Sequence, residues 1–155
     1  PSFEHYPADD IPAVNVDGAE IRVVLGSAFG VSSPVSTRSE TLYVEVVLEP
    51  GRSVAIPEAE ELAVYVVEGN VAINREFIEA GVLAVLESGA SGTVTAESAA
   101  RIMFAGGASL AGERFIWWNF VSSSRERIEQ ARKDWREQRF DAVPGETDYI
   151  PLPER

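Results

Sequence analysis

The sequence predicts an all-β fold, a sandwich or barrel of short strands, followed by one helix near the C-terminus. Three observations carry this. Over residues 20–121 apolar side chains recur at alternate positions, the period that places every second residue on one face of a strand. Turn-forming Gly, Pro, Ser and Asn interrupt these runs at intervals of about eight to twelve positions, the spacing of antiparallel all-β domains. No repeat of strand, crossover helix and strand appears, which disfavours a parallel α/β sheet.

The elements follow in chain order. Residues 1–19, with Pro7, Pro12 and the paired Asp9 and Asp10, read as an N-terminal arm or interdomain linker. Residues 20–121 form the β-barrel, through the runs "AEIRVVLG", "TLYVEVVLEPG", "SVAIP", "LAVYVVEGN", "VLAVLESG", "GTVTAE" and "ARIMFAGG". In "TLYVEVVLEPG", Leu42, Val44, Val46 and Leu48 share one face, Glu45 and Glu49 fall on the other, and Pro50-Gly51 turns the chain. Residues 122–140 form the helix. Ser123 and Glu126 fit a capping box, and the Arg125/Glu129 and Glu129/Lys133 pairs sit one turn apart. Its apolar stripe is only Ile128, Ala131 and Trp135, narrow enough to lie on a surface rather than fill a core. Residues 141–155 are an extended tail with a Pro144-Gly145 turn and the stretch Ile150-Pro151-Leu152-Pro153.

Composition bounds the chemistry. At 155 residues and 45% hydrophobic content the chain suffices for one ordinary core. It contains no cysteine, so disulfides, thiolate metal sites and thiol nucleophiles are excluded. The net charge is −12, and residues 1–113 hold 17 Asp/Glu against 5 Arg/Lys while residues 114–155 hold 8 of each. An acidic body opposes phosphate backbones, so no direct nucleic-acid binding is expected. Apolar runs fall short of the roughly 18 residues of a membrane span, and "PSFEHYPADD" lacks the features of a signal peptide; a cytoplasmic protein without membrane contact is the expectation. An exposed N-terminal proline serves as the catalytic amine in small tautomerases, but the strand pattern does not suit that reading of Pro1.

Residues 50–92 look like a cupin, a jelly-roll-like barrel built by a double-stranded β-helix. The segments "TLYVEVVLEPG", "LAVYVVEGNV", "AGVLAVLESG", "FIWWNFVSSSRERIEQARKDW" and "YIPLPE" together resemble the C-terminal half of bacterial pirins. The resemblance covers nearly the whole chain, and the tryptophan-to-helix segment with the terminal proline motif is its most specific part. Pirins carry two cupin domains of about this size, and this chain resembles the second. The resemblance implies iron in the N-terminal domain, held by histidines and a glutamate, with no cofactor in this chain. For the complete protein it implies an iron-dependent, quercetin 2,3-dioxygenase-like enzyme or a transcriptional co-regulator working through protein contacts.

The cupin motifs test that implication residue by residue. The first, G-x5-H-x-H-x3,4-E-x6-G, brings together two imidazoles and a carboxylate, a set that holds Fe(II) with open positions. Laid from Gly51, its histidine places are Pro57 and Ala59, while Glu61 and Gly69 lie near the carboxylate and glycine places but out of register. The second, G-x5-P-x-G-x2-H, laid from Gly81, has Glu87 at the proline place, keeps Gly89, and has Gly92 at the histidine place. Such glycines serve tight corners. The motifs therefore describe a cupin shell without its metal ligands.

Other chemistry finds little support. His5 is the only histidine and lies in the arm. Glu58, Glu60 and Glu61 could offer oxygen ligands to a hard cation, although consecutive acids in a loop read first as solvated surface; Glu68 reads as a hairpin residue. Serines abound without a G-x-S-x-G elbow, and "FAGGASLAG" lacks the lysine of a phosphate loop. No catalytic residue is assigned.

The run "RFIWWNF" carries large aromatics on both faces. Alternation would place Phe115, Trp117 and Asn119 on one side and Ile116, Trp118 and Phe120 on the other. One reading puts the second set in the barrel core with the helix over Trp117. The other makes Phe115, Trp117, Asn119 and Trp135 the contact with a partner: the N-terminal cupin, another protein, or a second copy in a homo-oligomer. The expected function is thus a non-catalytic, metal-free cupin that packs on a metal-bearing one; the alternative is a small-molecule module using the barrel interior.

Overall fold

The computed structural model describes residues 4–142, 145 and 147–153; Pro1 and Pro144 of the expected turn lie outside them. After a 3-10 turn at Ala8–Asp10, the strands are β1 (Ala13–Val16), β2 (Ala19–Leu25), β3 (Ser27–Ala28), β4 (Val31–Ser32), β5 (Thr41–Leu48), β6 (Ser53–Ala55) and β7 (Glu61–Glu68). Then come β8 (Asn70–Ile73), β9 (Glu76–Glu79), β10 (Leu83–Val85), β11 (Thr93–Ala96), β12 (Ala100–Gly107), β13 (Phe115–Trp117), β14 (Phe120–Ser122) and helix α1 (Arg125–Arg136). The chain divides into two compact units, Pro1–Ser109 and Leu110–Arg155.

The first unit is a two-sheet β-sandwich of the jelly-roll kind. One sheet has the order β1-β2-β5-β12-β7-β10 and the other β6-β11-β8-β9, with every pairing antiparallel. Non-consecutive neighbours such as β5, β12 and β7 make the pairing long-range, and the two sheets leave β1, β10, β6 and β9 as edge strands. The alternation read from "TLYVEVVL" is realised: Leu42, Val44, Val46 and Leu48 are buried. They meet Ile21 and Val23 of β2, Val64 and Val66 of β7, and Ile102 and Phe104 of β12 in one core with Val54, Val71 and Val94 of the smaller sheet.

Two boundaries differ from the sequence reading. The 1–19 arm ends inside the sheet, because Ala13–Val16 pairs with Arg22 back to Ala19 across the tight turn Asp17-Gly18, where both φ angles are positive. The barrel stops at the end of the first unit, so residues 115–121 belong to the second. There the aromatic run is a hairpin and not one continuous strand: Trp117 pairs with Phe120, Ile116 with Val121 and Phe115 with Ser122. Trp118 takes φ 52 at the turn, a conformation uncommon for a bulky residue. Ile116 is 71% exposed and outside the core, as are Trp118 and Phe120, so these three do not fill the barrel.

Helix α1 begins one residue later than its motif suggested. Ser124, not Ser123, is the N-cap: its Oγ accepts the Arg127 N–H at 3.2 Å and donates to Glu126 at 2.6 Å. Glu126 therefore sits too early to reach back in a reciprocal box, and the hydroxyl holds its carboxyl below the ordinary range. The expected i,i+4 pairs are replaced by Arg132 to Glu129 at 2.9 Å, one residue closer, and by Arg125 to Glu113 at 3.9 Å. Ile128 is buried, with Ala131 and Trp135 half-buried, as the narrow stripe implied.

Candidate functional site

The histidine places of a cupin metal centre, 57, 59 and 92, carry no side-chain donor atom. Pro57 is buried in the connection from β6 to β7, and Ala59 packs on the core; neither offers a donor atom. Gly92 adopts φ +129, and a Cβ there would lie 1.9 Å from Asn74 Oδ1. That amide is already used. It accepts the Thr93 N–H at 3.1 Å and donates to the Ser91 carbonyl at 3.0 Å, clamping the loop where a histidine would have to stand. By contrast Gly89, at φ +70, has open space at its Cβ position. His5 is exposed in the arm.

Two of the three acids, Glu60 and Glu61, are committed elsewhere. Glu60 accepts the Ser109 N–H at 3.0 Å and Glu61 accepts the Ser109 hydroxyl at 2.9 Å, so both fasten the end of β12, and the Ser109 amide holds the Glu60 carboxyl below its ordinary value. Glu58 and Glu40 face a cavity of about 320 Å³ beside Ala59, with Thr37 and Ser27. Among the described residues no group of three or more His, Cys, Asp or Glu converges on one point. The donor set does not suit an iron centre.

The space between the sheets is also occupied. Phe104, Ile21, Leu48 and Ile102 are under 2% exposed, and their side chains take up the interior that an apolar ligand would need. No helix among the described residues is long and apolar enough to cross a membrane.

The four contact residues named from the sequence all lie in the second unit but do not form one cluster: Phe115, Trp117 and Trp135 each pack on other neighbours, and Asn119 stands apart. The Arg125 guanidinium lies 4.0 Å above the Phe115 ring and that of Arg132 4.3 Å above Trp117. Residues 115 and 117 share a strand face and 125 and 132 are two helical turns apart, so α1 lies over the hairpin through two cation–π contacts. Trp135 is the hub of a ring cluster, with Trp118 at 5.2 Å, Phe140 at 5.7 Å, Phe120 at 6.1 Å and Tyr149 at 6.3 Å. Asn119 is exposed at the hairpin turn.

A second surface escaped the sequence reading. On the outer face of the six-stranded sheet, Glu45, Met103, Tyr65 and Leu83 form one cross-strand row, and Tyr43, Ala105, Ala63 and Val85 the next. Tyr65 is 39%, Leu83 55% and Val85 78% exposed. Glu45 is bracketed by Arg101 at 3.1 Å and Arg22 at 3.7 Å, which gives this apolar strip a charged border. Only the long-range register of β5, β12, β7 and β10 brings these residues together.

The description of the pirin C-terminal cupin domain matches residues 43–141. A pirin-like protein of Caulobacter vibrioides is 42% identical over 99% of this chain and 54% of its own length. Human pirin is 32% identical over 88% of this chain and 50% of its own. A crystal structure of quercetin 2,3-dioxygenase from Acinetobacter baumannii superposes with TM-score 0.87 at 26% identity, covering 99% of this chain and 53% of that one. The chain thus spans about half the length of the curated relatives it matches. Sandwich, hairpin, capped helix and these relatives agree: the chain belongs to the pirin family and carries its C-terminal cupin domain.

Proposed function

We propose that this domain is a metal-free scaffold that packs against a metal-bearing N-terminal cupin and shapes one wall of the cleft between them. The observation that carries this reading is the Gly92 site: the backbone at the histidine place takes a φ of +129 that disfavours any side chain, and the Asn74 amide fills the space its Cβ would need while bonding the loop on either side. A domain built this way contributes shape and surface, and the reacting centre belongs to its partner. Of the surfaces available, the strip of Tyr43, Tyr65, Leu83 and Val85 is the better seat for that partner. Phe115 and Trp117 are already covered by arginines, whereas burying the exposed strip recovers hydrophobic free energy; interfaces between domains of one chain typically bury about 600–1,500 Å². Asn119 and Trp135 are then not needed for the contact.

For the complete protein two activities remain compatible with the scaffold role: flavonol dioxygenation of the kind named for the Acinetobacter relative, and transcriptional co-regulation through protein contacts, which the acidic surface favours over DNA binding. The test begins with the reading frame upstream of Pro1. About 100–150 further residues containing H-x-H support the two-domain proposal, and an immediate start codon sinks it. With that longer protein in hand, hydrogen exchange at Tyr65 and Leu83 should slow relative to the isolated domain, and Leu83→Asp should remove the difference. Equal exchange in both forms would refute the choice of surface.

A further inference from the structure

The second unit contains a cavity of about 380 Å³ whose described lining includes Trp135, Gln138, Phe140, Asp141, Asp148 and Tyr149. We propose that it binds a bulky, weakly hydrated cation, a quaternary or trimethylated ammonium group. This goes beyond the scaffold role and does not depend on it.

Three aromatic side chains converge there, and their order is fixed by hydrogen bonds. The Trp135 indole N–H donates to the Ile150 carbonyl at 2.8 Å, and the Tyr149 hydroxyl donates to the Trp135 carbonyl at 3.3 Å. The tail that follows α1 is thereby held against the end of the helix, with Tyr149 stacked on Trp135 at 26° and Phe140 tilted at 58° to it. Phe140 and Tyr149 remain 48% and 45% exposed, so ring surface is left open to a ligand. Aromatic faces carry negative quadrupole potential and attract cations that part easily with water, above all methylated ammonium groups.

Charge complements the rings. Asp141 places a carboxylate in the lining, and no lysine or arginine is among the described lining residues. The neighbouring Arg139 is engaged with Asp134 at 3.0 Å and with Glu137, so a cation from the same segment is committed elsewhere. An anion would meet the Asp141 carboxylate and the negative ring faces, and a neutral apolar group would gain contact with the rings but nothing from the carboxylate. The volume exceeds that of a trimethylammonium head, which leaves room for the chain attached to it.

The test uses the intact chain labelled with ¹⁵N. It has three tryptophans and hence three indole N–H signals, one of them from Trp135. Titration with choline should shift the Trp135 signal saturably and leave those of Trp117 and Trp118 nearly still, while the neutral isostere 3,3-dimethyl-1-butanol should not. Tyr149→Ala and Asp141→Asn should each weaken choline binding by about three- to fivefold; both positions are exposed, and amide spectra check that each variant stays folded. A peptide bearing trimethyl-lysine, run beside its unmethylated form, separates the two sources of the ligand. Tighter binding of choline points to a free small molecule and tighter binding of the methylated peptide to a protein side chain. No saturable shift with either, or an equal response to the neutral isostere, overturns the proposal.

Discussion

Replacing Gly92 by alanine tests whether the histidine place has become part of the fold. The added Cβ would sit 1.9 Å from Asn74 Oδ1 and 2.7 Å from its Cγ, so the amide must move. Moving it forfeits the bonds to Thr93 N–H and the Ser91 carbonyl, each contributing about 0.5–1.5 kcal/mol. A non-glycine residue at φ +129 adds strain of about 1–3 kcal/mol. The expected loss is about 2–6 kcal/mol. Gly89→Ala is the internal control: at φ +70 with nothing within 4 Å, it should cost only the left-handed penalty of about 1–2 kcal/mol. Urea unfolding followed by far-UV circular dichroism measures both; tryptophan fluorescence is unsuitable, because all three tryptophans lie in the second unit. In an Asn74→Ala background the cost of Gly92→Ala should shrink, since the clash partner has gone. If Gly92→Ala costs no more than Gly89→Ala, or if its effect adds fully to that of Asn74→Ala, the clamp does not work as described.

Further outcomes follow from the same contacts. Phe104→Ala, at a fully buried ring, should destabilise the sandwich by about 3–5 kcal/mol, read from the urea midpoint. Ser124→Ala removes the N-cap bond to Arg127 and should cost about 0.5–2 kcal/mol, with faster amide exchange along α1, while Ser124→Asp should retain most of the stability. The Glu60 carboxyl should titrate below 4.5 by ¹³C NMR, because the Ser109 amide favours its ionised form. A depressed folded value means that its contribution is fully present above pH 4.5 and is lost as pH falls through the folded pKa. Glu60→Gln should therefore flatten the acid-side decline in stability.

The parts of the fold legible in the sequence were those set by local pattern. Alternation at Leu42, Val44, Val46 and Leu48 located β5 and its buried face, because a strand with one face in a core must repeat every second residue. The same rule misled at the aromatic run. Trp118 and Asn119 form a tight turn in which Trp118 has positive φ, yet an aromatic there continues the apolar pattern of the strands beside it, so nothing in the pattern marks the reversal. The cap shifted by one because three consecutive serines, Ser122 to Ser124, all satisfy the capping preference. The outer strip of Tyr65, Leu83 and Val85 was hidden for another reason: it depends on β10 pairing with β7 and β7 with β12, and register between distant strands leaves no mark in a single sequence. That Pro57, Ala59 and Gly92 stand at the histidine places was visible directly, but the cost of a side chain at Gly92 required the position of Asn74.

Elemental analysis of the purified chain, after incubation with Fe(II) under anaerobic conditions and removal of free metal, shows whether this domain holds iron by itself. A domain that contributes shape while its partner holds the metal should retain far less than one equivalent of iron, and Pro57, Ala59 or Glu61 variants should not change that amount. Stoichiometric iron that survives desalting and disappears when barrel side chains are replaced would contradict the account.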